Sequence, residues 1–184
     1  MHARQFSHPA LTEFATIATA FCETVENVAS RTPEAQLDQI HQLLPRAYSA
    51  ALQLPDTSVP LDDSAAPGQL DPDPDPAQSV DTIPAGLAQL ANLLGPRRFY
   101  REVFDPYAEP ADGEVTGDII DDLGDIYRDL RRGLVHWRAG KPSDALWVWR
   151  FNFQIHWGEH ATSALRAIFA LSAWCDVPWP AGAG

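Results

Sequence analysis

Two histidines four residues apart, His156 and His160, have the clearest chemical use in this sequence. On a helix that spacing projects both imidazoles from one side, as two ligands of one metal ion require. The residues between them are Trp157, Gly158 and Glu159, so the segment also matches the H-x-x-E-H pattern of the inverzincin metalloproteases, where the glutamate serves as base. That match is incomplete. Such enzymes take a third, acidic ligand from well beyond the motif, and the only acid after Glu159 is Asp176, in what reads as a tail. No catalytic residue is assigned on this basis.

The carboxylates a metal would need lie upstream. Asp118, Asp121, Asp122, Asp125 and Asp129 fall within about 100° of one another on a helical wheel. A solvated face explains part of this. The first three favour the positive end of the helix dipole, and Asp125 with Arg128 and Asp129 with Arg132 form i,i+3 pairs. Yet five carboxylates with no basic residue before Arg128 repel one another and favour a positive partner on a neighbouring helix. Asp122 and Asp125 are the best placed to join His156 and His160 around a divalent metal.

A strip of Asn152, His156, Glu159, His160 and Ser163 likewise spans about 100° of its helix. Two readings compete. In one, the histidines and aspartates hold a metal. In the other, preferred on sequence, Asn152, Glu159, Ser163, Asp118 and Asp129 enter a hydrogen-bonded network that fixes the register of two helices, with Asp122, Asp125 or Tyr127 supplying partners for the histidines. Both require the imidazole nitrogens to lie within about 7 Å of the aspartate stripe, since ligands sit about 2 Å from a metal.

The elements that must position these residues are all helical by pattern. Asp144 to Trp174 holds no proline, and its apolar side chains occupy nearly the whole circumference, so it reads as a long helix buried in a bundle. Gly158 within it costs about 1 kcal/mol relative to alanine and is expected to admit a close approach. Thr116 is expected to cap a helix from Gly117 to about Arg138, with Ile119, Leu123, Ile126, Leu130, Leu134 and Trp137 as its apolar seam. Ahead of these, residues 9–54 read as a helical hairpin. Leu11, Phe14, Ala18, Phe21, Val25 and Val28 form one seam, Thr32-Pro33 starts the second helix, and Pro45 should kink or split it. Ile83 to Leu94 is a short helix, and Arg97 to Tyr107 a short helix or an extended piece laid on the core. The expectation is an all-α bundle of about four to six helices in one domain, with a helical core over 82–174 and a flexible tail over 175–184.

Residues 55–81 differ in kind. Six prolines and seven aspartates make an acidic, stiff linker. Asp71, Asp73 and Asp75 imitate the start of a calcium loop, but Pro76 stands where the turn glycine is needed and Thr82 where the bidentate glutamate should be. A formal charge of −12 with only 13 basic residues argues against a nucleic-acid partner and against an anionic membrane surface. Cys22 and Cys175 are expected to be reduced thiols, and no signal-peptide core or membrane span is evident, so the cytoplasm is the default.

Three stretches, Phe99 to Pro106, Asp121 to Leu130 and Trp149 to Leu165, resemble an uncharacterised bacterial family, a domain of unknown function designated DUF5063. The resemblance covers about residues 94–171 and does not take in the N-terminal hairpin or the linker. It implies a helical protein and supplies no catalytic residues. The leading expectation is a non-catalytic cytoplasmic interaction or regulatory protein with an unknown protein partner. The apolar seams of the first two helices offer a route to a homodimer. The alternative is a metal-binding bundle, extending to a small metallohydrolase, built on His156, His160 and the 118–129 helix.

Overall fold

The apolar seams are enough to build the fold. The computed structural model describes residues 8–27, 31–57, 83–103, 105–109 and 113–174; most of the expected linker, the whole tail and Val28 lie outside them. Helix α1 (Pro9–Glu26) starts on proline and buries Leu11, Phe14, Ala18, Phe21 and Val25. Helix α2 (Pro33–Leu52) is capped by Thr32, whose side chain accepts from the Ala35 amide at 3.3 Å. It continues through Pro45 as one helix and is not split. Helix α3 (Ala85–Leu94) ends at Gly95, whose φ of 50° turns the chain into a 3-10 turn over Gly95–Arg98.

A two-stranded antiparallel ribbon follows, and its second strand departs from expectation. Strand β1 (Phe99–Glu102) is the extended alternative for that segment. It pairs with β2 (Val115–Asp118), which occupies the place assigned to the first turn of a helix. Helix α4 therefore begins at Ile119, with Asp118 rather than Thr116 as its cap; the Asp118 carboxylate accepts from the Ile120 amide at 2.9 Å. The reason is pairing. Val115 and Thr116 have good β propensity, and the partner strand satisfies their backbone groups sooner than a helix would.

Helix α4 runs to Arg138 and buries Ile119, Leu123, Ile126, Leu130 and Leu134 as its pattern requires. The C-terminal helix starts at Pro142 as α5 (Pro142–Asn152), passes through a π-helical turn (Phe153–Trp157) and continues as α6 (Gly158–Trp174). It packs along α4 and touches α2, while α1 lies on both α2 and α4. Aromatic rings fill the centre: Phe14 meets Trp149 at 4.9 Å and Trp157 at 6.0 Å, and Phe153 meets Trp157 at 4.8 Å. The Trp149 indole donates to the Leu130 carbonyl at 2.9 Å across a notch at Gly133, where a Cβ would overlap the ring. The outer side of the long helix leaves Phe151, Ile155 and Phe169 exposed. The seams of α1 and α2 are consumed by this core.

Candidate metal centre

The π turn aligns the site. Buried or half-buried Trp149, Phe153, Trp157 and Ala161 recur at strict spacings of four, and so do Asn152, His156 and His160. In an ideal α-helix each step of four drifts by about 40°, so the three aromatic steps would carry that stripe about 120° round the axis and the two polar steps about 80°. One wider turn with i→i+5 bonding absorbs the drift. The aromatic stripe then stays in the core, against Phe14 and Tyr48, and the polar stripe stays against α4. Gly158 closes the turn because a Cβ there would overlap the Phe153 carbonyl oxygen and press on its ring. The close approach expected at Gly158 is thus made by the helix's own bulged backbone.

Across the α4–α6 interface each histidine finds its own aspartate. The Nδ1 of His156 lies 2.7 Å from Asp129 Oδ2, and the Nδ1 of His160 lies 2.9 Å from Asp122 Oδ1. Asn152 donates to the other oxygen of Asp129 at 3.0 Å. Ionised carboxylates only accept, so these bonds place a ring proton on Nδ1, and in the neutral imidazoles each lone pair is then on Nε2. Those lone pairs converge on one residue. His160 Nε2 is 3.5 Å from Asp125 Oδ2, and His156 Nε2 is 3.9 Å from Asp125 Oδ1. Asp125, His156 and His160 each offer a ligand atom, all within 4.8 Å of one another, and such a cluster can coordinate a metal.

The network extends beyond these helices. Tyr100, on β1, donates to the second oxygen of Asp122 at 2.7 Å, and Ser163 donates to Glu102 on the same strand face. Tyr100 crosses the ribbon over its register partner Gly117, where any Cβ would strike the phenol ring. Tyr100 and Glu102 were not singled out from sequence. Their i,i+2 spacing is a signal only on a paired strand, and Val115–Asp118 by itself looks like a helix start. Arg128 makes its i,i+3 ion pair with Asp125, as its spacing suggests. Asp129 binds Asn152 and His156.

Some expected members lie elsewhere. Asp118 is the α4 cap and is gripped by Arg98. Tyr127 donates to Glu26 on α1 at 2.6 Å, away from the histidines, because it sits on the opposite side of α4 from Asp129. Glu159 is exposed. Asp121 is exposed as well. The aspartate stripe therefore divides: Asp122, Asp125 and Asp129 face the long C-terminal helix, and Asp118 and Asp121 do not.

Burial sets the protonation chemistry. It pushes the carboxyls of Asp122 and Asp129 up, against the opposing pull of the His160 and His156 hydrogen bonds. His160 is raised above the ordinary imidazole value, first by its bond to Asp122, against its own burial. Tyr100 is raised by burial and by its bond to Asp122, so it remains a donor. Both shifts favour keeping a proton within the Asp122–His160 pair.

A two-histidine, one-carboxylate cluster between helices of an α bundle places the chain among helical proteins with a potential metal centre. The chain belongs to the DUF5063 family, a domain of unknown function, whose model matches residues 7–173. The match extends beyond the C-terminal region to include the N-terminal hairpin. The fold is similar to the crystal structure of protein BF1032 from Bacteroides fragilis. The two share 23% identity over 89% of this chain and 92% of that one, with a TM-score of 0.64. At that identity the likeness concerns the fold alone. No curated protein matches the chain.

Proposed function

We propose that this protein binds a divalent transition metal through His156 Nε2, His160 Nε2 and Asp125. Asp129 and Asp122 hold the two imidazoles. The observation that carries this reading is the direction of the rings: the Nδ1 atoms are committed to Asp129 and Asp122, and both Nε2 atoms turn toward a third carboxylate. A network built only for register has no need of that convergence. In metal sites the carboxylate behind each imidazole fixes the tautomer and raises ligand basicity. Imidazole with carboxylate suits zinc, iron, cobalt, nickel or manganese better than calcium or magnesium, which prefer oxygen alone. Ligand atoms of a tetrahedral zinc lie about 3.3 Å apart, so the cluster would draw together by roughly 1.5 Å on loading.

The hydrogen-bond reading keeps one observation in its favour, the Arg128 ion pair that already neutralises Asp125. Under that reading the protein is a non-catalytic interaction or regulatory module whose network sets helix register. A cytoplasmic location suits either reading, since Cys22 is a free thiol and, among the described residues, no helix is long and apolar enough to cross a membrane. Elemental analysis of untagged protein purified without chelator separates the two. About one equivalent of a transition metal, lost in His156→Gln/His160→Gln, is expected. Less than about a tenth of an equivalent, with no rise in melting temperature on adding zinc or manganese, would leave the network as the sole role.

A further inference from the structure

Three protein ligands leave a divalent metal with at least one coordination position to fill, since even zinc takes four. The exposure of the cluster indicates where that position faces. The α4 carboxylates form a floor, with Asp122 8% exposed and Asp125 and Asp129 each 13%. The rim is wetter: His156 is 43% exposed, Arg128 37% and His160 28%. A metal held by Asp125 and the two Nε2 atoms has protein beneath it and solvent above, with a guanidinium at the edge.

Arg128 and the metal need not compete. Arg128 Nη2 donates to Asp125 Oδ1, whereas Oδ2 is the oxygen nearest His160 Nε2. Asp125 can therefore bind metal through Oδ2 while Arg128 stays on Oδ1, which keeps the guanidinium within one carboxylate's width of the ion. A guanidinium has five N–H donors in a rigid plane, and the Asp125 bond uses one. The Arg128 side chain is 37% exposed, so the remaining donors are open to solvent at the rim.

Resting on the metal reading above, we propose that the centre takes a small oxyanion, a carboxylate or phosphate group, as its exogenous ligand. One oxygen binds the metal and another accepts from Arg128. The metal and guanidinium together carry three positive charges. Asp125 offsets one, and the charges of Asp122 and Asp129 are turned to the Nδ1–H groups on the far side of the rings. The three carboxylates lie beneath and the guanidinium lies on the exposed rim, so an approaching anion meets the positive groups first in spite of the acidic chain around it. The planar fork of Arg128 matches the spacing of paired oxygens on either group.

The test uses the full chain loaded with cobalt(II), whose visible d–d bands report its ligand set. Inorganic phosphate and acetate are titrated separately. At least one of them is expected to shift the bands of the wild type, and the one that does so identifies the oxyanion. Arg128→Gln should need about ten-fold more of that anion, the loss of one charge-assisted hydrogen bond, with Arg128→Lys in between. Wild-type bands that vanish in His156→Gln/His160→Gln but move with neither anion would overturn the proposal and leave the metal reading intact. A response of Arg128→Gln at wild-type concentrations would overturn it too. Absent bands in the wild type would remove the metal reading and the proposal together.

Discussion

At the scale of single residues, Asp122 and Asp129 matter for what they do to histidine. Asp122 is buried and Asp129 half-buried, and each spends an oxygen on an Nδ1–H that a solvated imidazole would give to water. Asp122→Asn can still accept that bond but loses the charge, so metal affinity is expected to fall about 10–100-fold with stoichiometry unchanged. Isothermal titration with zinc checks this. A second expectation concerns groups whose neutral forms the fold favours. Cys22, Tyr100 and Tyr127 are all raised, chiefly by burial and then by neighbouring acids, from ordinary values of 9.0 for the thiol and 10.0 for the phenols. Above those values the unfolded chain releases protons that the folded one retains. The stabilisation is complete at lower pH and is lost as pH climbs past about 9. Melting temperature should therefore fall on the alkaline side, with the Tyr100 and Tyr127 phenols ionising only as the protein unfolds. Cys22 in the native protein should resist thiol reagents at mildly alkaline pH.

At the scale of elements, the π turn and its glycine oppose simple propensity. Alanine is the better helix former by about 1 kcal/mol, so Gly158→Ala would stabilise a regular helix. Here a Cβ meets backbone, the Phe153 carbonyl, which cannot swing aside. We expect Gly158→Ala to destabilise by about 1–3 kcal/mol, as overpacking does, and to weaken metal binding because His156 belongs to the turn. Urea unfolding gives the sign directly; a gain in stability would mean that the turn relaxes to α-helix at no cost. The ribbon acts on the same site from the other side, since Tyr100 reaches Asp122 only by crossing Gly117.

The molecule as a whole ties the hairpin to the site-bearing helices through one aromatic centre. Phe14 of α1 contacts both Trp149 and Trp157, and Tyr48 of α2 contacts Phe153 at 5.0 Å. With no separate core for the hairpin among the described residues, all the helices should melt together. Calorimetry is expected to show one transition with equal calorimetric and van't Hoff enthalpies; two transitions would divide the chain into independent units. Trp149→Ala should cost about 3–5 kcal/mol, and saturating zinc at a hundred times its Kd should return about 2.7 kcal/mol.

Local sequence determined the helices, because three-four spacing and capping residues are local features. Leu11 to Val25, Ile119 to Leu134 and the Thr32-Pro33 start all follow from it. It also placed His156 and His160 on one side of one helix and identified the helix carrying their carboxylates. Tertiary structure decided which aspartate serves which ring. Asp122 and His160 are 38 residues apart, Asp129 and His156 27, and no local pattern encodes such a pairing. Strand β2 was illegible for the same reason: its backbone is satisfied by a partner that begins sixteen residues earlier, and alone it looks like a helix start. The π turn lies between these cases. The strict fours of Trp149, Phe153, Trp157 and Ala161 were in view, but a wheel drawn at a fixed 100° turns them into drift. Only packing, which requires the aromatic stripe to face the core while the polar stripe faces α4, resolves that drift into one extra residue in the turn that carries His156.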